Sequence, residues 1–156
     1  SPRHPILPEV MKGNTLTVDG ELIEVRGTTG ALAHRPYTWI PSIKAIVGNI
    51  AIFGNLHVWT ADTQKPSERQ AWFAQLDELE ALQAKTVVPG HMAAGTQLDS
   101  GNILYTREYL QRFDLEATKA KDADGLIKAM QAAYPNAGLG IALDIGAKVN
   151  KAEMQW

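Results

Sequence analysis

The chain has 156 residues, 45% of them hydrophobic and 21% charged, which suits one globular domain with a core of its own. A net charge of −2 argues against a general binder of the phosphate backbone, and there is no basic aromatic strip of the kind that grips single strands. The lack of cysteine excludes disulfides, thiol nucleophiles and Cys-based zinc sites, and no apolar run approaches the ~20 residues of a membrane helix.

Residues 1–10 carry three prolines and read as an extended lead-in that opens on Ser1-Pro2, as a processed or cut terminus would. Leu16 and Val18 alternate with polar neighbours, Asp19-Gly20 is a strong two-residue turn, and residues 22–25 continue the pattern, which predicts a hairpin. Residues 27–34 are Gly-rich and read as a loop. Residues 35–54 hold two or three short strands, with Pro41-Ser42 turning the first into the second and Gly48-Asn49 ending that one. A polar and aromatic loop follows over 55–66.

The spacing of Trp72, Phe73, Leu76, Leu79 and Leu82 predicts a helix over 66–83, with Ser67 and Gln70 as its capping box. Residues 85–90, KTVVPG, read as a short buried strand. Asp99 or Ser100 can cap a second helix through about residue 121, and Asp122 or Asp124 a third that Pro135 ends. Residues 136–156 read as a loop and a short terminal helix. Strands first, then strand–loop–helix–strand, then helices is the order of a layered α/β fold.

Two places could carry chemistry. His91 follows the Pro89-Gly90 turn at the end of the KTVV strand, where layered sheets gather ligands. A neutral imidazole aimed into that crevice would suit zinc or iron; the plainer reading is a histidine bonded to a loop carbonyl. The second place is the loop holding His57, Trp59, Asp62 and Thr63. His57 and Asp62 could share a metal, or Asp62 could orient the ring, and Trp59 could wall a pocket. Equally, Asp62-Thr63 could form a turn feeding the helix, with Trp59 in the core. His34 reads as a solvated loop histidine and His4 as irrelevant. There is no phosphate loop, no G-x-S-x-G elbow, no H-E-x-x-H and no dinucleotide fingerprint.

Taken together, WIPSIKAIVGNIAIFGNLHVWTADT, RQAWFAQLDELEAL and KTVVPGHM resemble the C-terminal half of metallo-β-lactamase-fold hydrolases, over roughly residues 8 to 115. The resemblance implies an αββα sandwich with a one- or two-metal site at one sheet edge, where a metal-bound hydroxide attacks a carbonyl or phosphorus centre. His91 matches a family ligand, and His57 a histidine that some members carry. The H-x-H-x-D-H motif is absent, however. The family's next histidine falls near Thr28 or Thr29, so that His34 fits only if the loop shifts. Asn49-Ile50 stands where the bridging aspartate belongs.

The expectation is therefore a partial or truncated metallo-β-lactamase-like fold in one domain, 1–156, with 116–156 a helical extension. Zinc is the implied cofactor, yet with one clear ligand the chain by itself is expected to hold none and to be no competent hydrolase. Either a missing segment or partner chain completes a metal-dependent hydrolase of the lactone, thioester or phosphoester class, or the chain is a degenerate relative. A small-ligand binder using Trp59, His57 and, more weakly, His34 is the further alternative. A half-sandwich leaves an apolar sheet face open, so a homodimer or higher oligomer is expected. Nucleic-acid and membrane partners are not, and without a signal-like opening a cytoplasmic location is the expectation.

Overall fold

The structure, a computed structural model, describes residues 7–156, so His4 and most of the Pro-rich lead-in lie outside the described residues. Strand β1 (Thr15–Val18) turns through Asp19 (φ 50°) and Gly20 (φ 85°) into β2 (Glu21–Arg26). Two positive-φ residues give the primed turn whose twist matches a hairpin, as Asp-Gly predicts. β3 (Tyr37–Ile40) follows, and a single 3-10 turn, Pro41–Ile43, closes on Lys44 in the left-handed region before β4 (Ala45–Val47). Two-residue strand β5 (Phe53–Gly54) precedes helix α1 (Pro66–Ala81); β6 (Thr86–Val87) and β7 (His91–Met92) come next. Helices α2 (Gly101–Lys119), α3 (Ala123–Ala133) and α4 (Gly140–Asn150) complete the chain.

The main sheet has the order β1-β2-β3-β4-β6, antiparallel except where β4 runs parallel to β6; β5 and β7 form a second, parallel pair. The chain is thus a mixed α/β protein built in layers, as its element order implies.

The helix ends follow local chemistry. Pro66 occupies the first helical position of α1, where its missing N–H costs nothing, and the Glu68 carboxylate accepts from the Lys65 backbone N–H at 2.9 Å. This corrects the Ser67–Gln70 capping box: the helix starts earlier, because the proline belongs inside its first turn. Asp99 accepts from Gly101 N–H (2.9 Å) at the start of α2, and Asp122 from Gly125 N–H (2.8 Å) at the start of α3. The glycine-bearing stretch near the end is helical: it is α4, and Gly146 lets it approach loop 55–65, since a Cβ there would meet Thr60 Oγ1 at 2.3 Å.

Cross-strand partners share a face of a sheet. The register Glu24↔Trp39, Arg26↔Tyr37 and Ile46↔Val87 puts Tyr37, Trp39, Ile46 and Val87 on one face, all buried in a cluster with Trp72, Leu76 and Leu79 of α1. That cluster continues through Phe113, Leu126, Met130 and Leu143, so α2, α3 and α4 pack into the same core, and α2 runs through position 116 without a break. On the opposite face, Leu16↔Ile23, Val25↔Thr38 and Thr38↔Val47 align a stripe of apolar side chains. Leu16 and Val18 are exposed there, and Ile23, Val25, Ile40 and Val47 are only half-buried.

Asn49 and Gly90 lock the second sheet onto the first. The Asn49 amide donates to the Val88 carbonyl (2.8 Å) and accepts from the Ile52 N–H (3.0 Å). Gly90 donates to the Ile52 carbonyl at 3.0 Å, and a Cβ at position 90 would stand 1.8 Å from the Asn49 carbonyl oxygen. No side chain fits that approach of two backbones. Gly90→Ala is therefore expected to destabilise the fold by about 3 kcal/mol or more. Gly140→Ala, where a Cβ meets nothing within 4 Å, should be neutral or slightly stabilising. Urea unfolding of the two variants side by side checks this; equal stabilities would contradict the packing described.

Candidate functional site

Loop 55–65 is pinned by one arginine. Arg35 leaves β3 at its N-terminal side, and only 1% of its surface is exposed. Its Nη2 donates to the Trp59 carbonyl (3.1 Å) and closely to Asp62 Oδ1, while Nε reaches Asp62 Oδ2 at 3.4 Å. The guanidinium carbon lies 3.9 Å from the centre of the Trp72 ring, and the Arg35 backbone carbonyl accepts from Gln75 Nε2 (3.0 Å). Trp72 in turn donates its Nε1–H to the Ala51 carbonyl at 2.9 Å, so one core residue links α1, the β4–β5 connection and the arginine. Burial lowers the Arg35 pKa, and the Asp62 charge works against that.

This ion pair forms part of the wall of a cavity of about 360 Å3. The remaining wall is largely apolar: Ile50, Phe53, Trp59, Leu139 and Ile141, with His91 at the side. His91 opens β7 and is exposed, and its ring stacks on buried Phe53 with centroids 5.2 Å apart and planes 11° apart. The pairing Phe53↔His91 across the parallel strands sets that stack. Trp59 meets the Trp156 ring edge-on at 4.7 Å. His34, 46% exposed at its side chain, brings Nε2 to 3.4 Å from Asp62 Oδ2.

The structure thus brings His91, Asp62 and Trp59 to one cavity, with His34 beside Asp62, and leaves His57 elsewhere. His57 is buried, its Nδ1 2.9 Å from the Tyr109 hydroxyl of α2, with the two rings edge-to-face. Burial lowers the His57 pKa and raises that of Tyr109, so a protonated phenol faces a neutral imidazole. Thr63 closes a turn on the Thr60 carbonyl through both its N–H (3.2 Å) and its hydroxyl (3.3 Å), while the Asp62 carboxylate turns the other way, to Arg35. Asn49 spends its amide on Val88 and Ile52; a carboxylate there could not donate to the Val88 carbonyl.

A zinc site needs at least three protein ligands converging on one point. Among the described residues no three His, Cys, Asp or Glu side chains stand together in that way. His57 is bonded into the core, and Asp62 is claimed by a guanidinium. Arg35, Phe53, Leu139 and Ile141 line the cavity without having stood out as site residues in the sequence. No helix among the described residues is long and apolar enough to cross a membrane. No family model matches this chain, and no curated protein matches it at a significant level.

The burial of His57 has a pH consequence. An unfolded histidine takes up a proton near its ordinary value of 6.5, whereas the folded His57 resists it. The stability this group contributes is fully present above pH 6.5 and is lost as pH falls towards the lower folded value. Stability measured by urea unfolding should decline between about pH 7 and pH 5. His57→Gln should start less stable and decline less over that window. A decline of unchanged slope in the variant would show that another group is responsible.

Proposed function

We propose that this chain is a non-catalytic binding and assembly module on a metallo-β-lactamase-like scaffold, with the Arg35–Asp62 cavity as its ligand site. The carrying observation is that the one carboxylate beside His91 in that cavity is held by two hydrogen-bond donors of a buried arginine. A metal ion at Asp62 would have to displace a guanidinium whose own charge has no water to return to. What remains is an apolar chamber with a neutral ion pair and one accessible imidazole, the composition of a small-molecule pocket. Trp59, Phe53 and Ile141 supply flat apolar contact for a ligand body, and His91 a polar group at its edge.

The assembly part of the proposal rests on the sheet. Leu16 is 47% and Val18 54% exposed, continuous with the half-buried stripe through Ile23, Val25, Ile40 and Val47. β1 is an edge strand whose sequence, TLTV, lacks the charges and proline that usually blunt such edges. A second copy laid on this face would remove that surface from water.

The test is a hydrolysis panel of a lactone, a thioester and a phosphoester with zinc supplied, run alongside native mass measurement at micromolar concentration. The expected outcome is no turnover above background, no change in this on His91→Ala, and a mass of a dimer or larger for both proteins. Turnover that His91→Ala abolishes would replace this reading with the metal-dependent hydrolase, and a monomeric mass would remove the assembly role.

A further inference from the structure

A second groove, of about 410 Å3, runs between the start of α1, Asp114 of α2 and Asn150 of α4. It shares no lining residue with the Arg35 cavity. Arg69 forms one wall. Its guanidinium lies over the Trp72 and Phe113 rings, 5.7 Å from each centre, and 11% of the side chain is exposed. Arg35 grips its carboxylate closely. Arg69 has a looser partner, with Nε 3.5 Å from Oδ1 of Asp114, a side chain 39% open to solvent. Burial lowers the Arg69 pKa and raises that of Asp114, as expected where a charge has left water without full compensation.

Two polar atoms of residues lining a small void that adjoins this groove are unpaired. Arg69 Nη1 and the Thr60 hydroxyl are buried and have no hydrogen-bond partner. Both residues line a small void of about 10 Å3, which shares Thr63, Gln64, Arg69 and Asn150 with the groove. A void of that size admits a single oxygen atom. A charged donor left unsatisfied is costly, and an anionic acceptor satisfies it about twice as strongly as a neutral one. Lys65, 77% exposed, adds a second cation at the rim, with its Nζ 3.9 Å from Oε1 of Glu68.

We propose that this groove binds a small oxyanion, a carboxylate or a phosphate, with one oxygen accepting from Arg69 Nη1 and reaching the Thr60 hydroxyl. Gln64 and Gln70 line the groove; the Gln64 amide donates one N–H to the Ala61 carbonyl (2.9 Å) and has a second to offer, as does Gln70, to the other oxygens. The site stands independently of the Arg35 cavity and of any activity there.

The experiment is an NMR titration of the isotopically labelled chain with sodium acetate and, separately, sodium phosphate, with chloride holding ionic strength constant. Saturable shifts of the Arg69 Nε–H and the Gln64 and Gln70 side-chain amides are expected with at least one anion. The anion that saturates identifies the source chemistry. Lys65→Glu, at an exposed side chain, should weaken binding about tenfold or more while the spectrum stays that of the folded chain. Gln70→Glu serves the same purpose if that variant is unstable. Absence of saturable shifts with both anions would overturn the site and leave the small void to water, as would undiminished binding in a folded charge-reversal variant.

Discussion

Burying the Arg35 guanidinium costs several kcal/mol of lost hydration, and the structure around it offsets much of that cost, though Nη1 is left without a partner. Asp62 supplies the opposite charge, the Trp59 carbonyl a further acceptor and the Trp72 ring a π-face at 3.9 Å. Each of these partners belongs to a different stretch of chain. Arg35 ends the loop before β3, Trp59 and Asp62 lie in the loop before α1, and Trp72 is the centre of α1's buried stripe. Holding one cation therefore fixes the position of a long loop against both a sheet and a helix.

The proposed function rests on the same constraint. On that proposal, a carboxylate that balances a buried cation is held from other roles, because removing it strands the arginine. The Asn49 amide carries a related consequence. It bridges the two sheets by donating to one carbonyl and accepting from one N–H, and it closes over Gly90, whose missing side chain allows the turn before His91. His91 is left on a short parallel strand, stacked on Phe53 and open to solvent. Asn49, Gly90 and Asp62 are thus engaged in holding elements together.

Much of the fold was legible because its signals are local. Asp19-Gly20 demands positive φ at two successive residues, Asp122 caps the helix three residues ahead of Gly125, and the Trp72–Leu76–Leu79 stripe needs only helical spacing. The Ser67–Gln70 box failed for a local reason too: Pro66 fits the first turn, which shifts the start of α1 to Lys65. The site was harder to read because its pairings are distant. Arg35 and Asp62 are 27 residues apart, and His57 and Tyr109 are 52 apart. A loop arginine before a proline gives no sign that it is buried, and a histidine near an aspartate gives no sign that its partner is a tyrosine on a later helix. His91 and Trp59 could be placed near a crevice from the Pro-Gly turn and the aromatic loop, but the apolar wall from Leu139 and Ile141 depends on how α4 docks.

The proposed function depends on buried Arg35 and half-buried Asp62 acting as one unit. A double-mutant cycle of Arg35→Met, Asp62→Leu and the pair, followed by urea unfolding, measures their coupling directly. Each single variant is expected to be strongly destabilised and the double variant less than the sum, with a coupling of about 2 kcal/mol or more. Additive effects, with a coupling below about 0.5 kcal/mol, would mean that the two charges do not depend on each other. Asp62 would then be free for other chemistry.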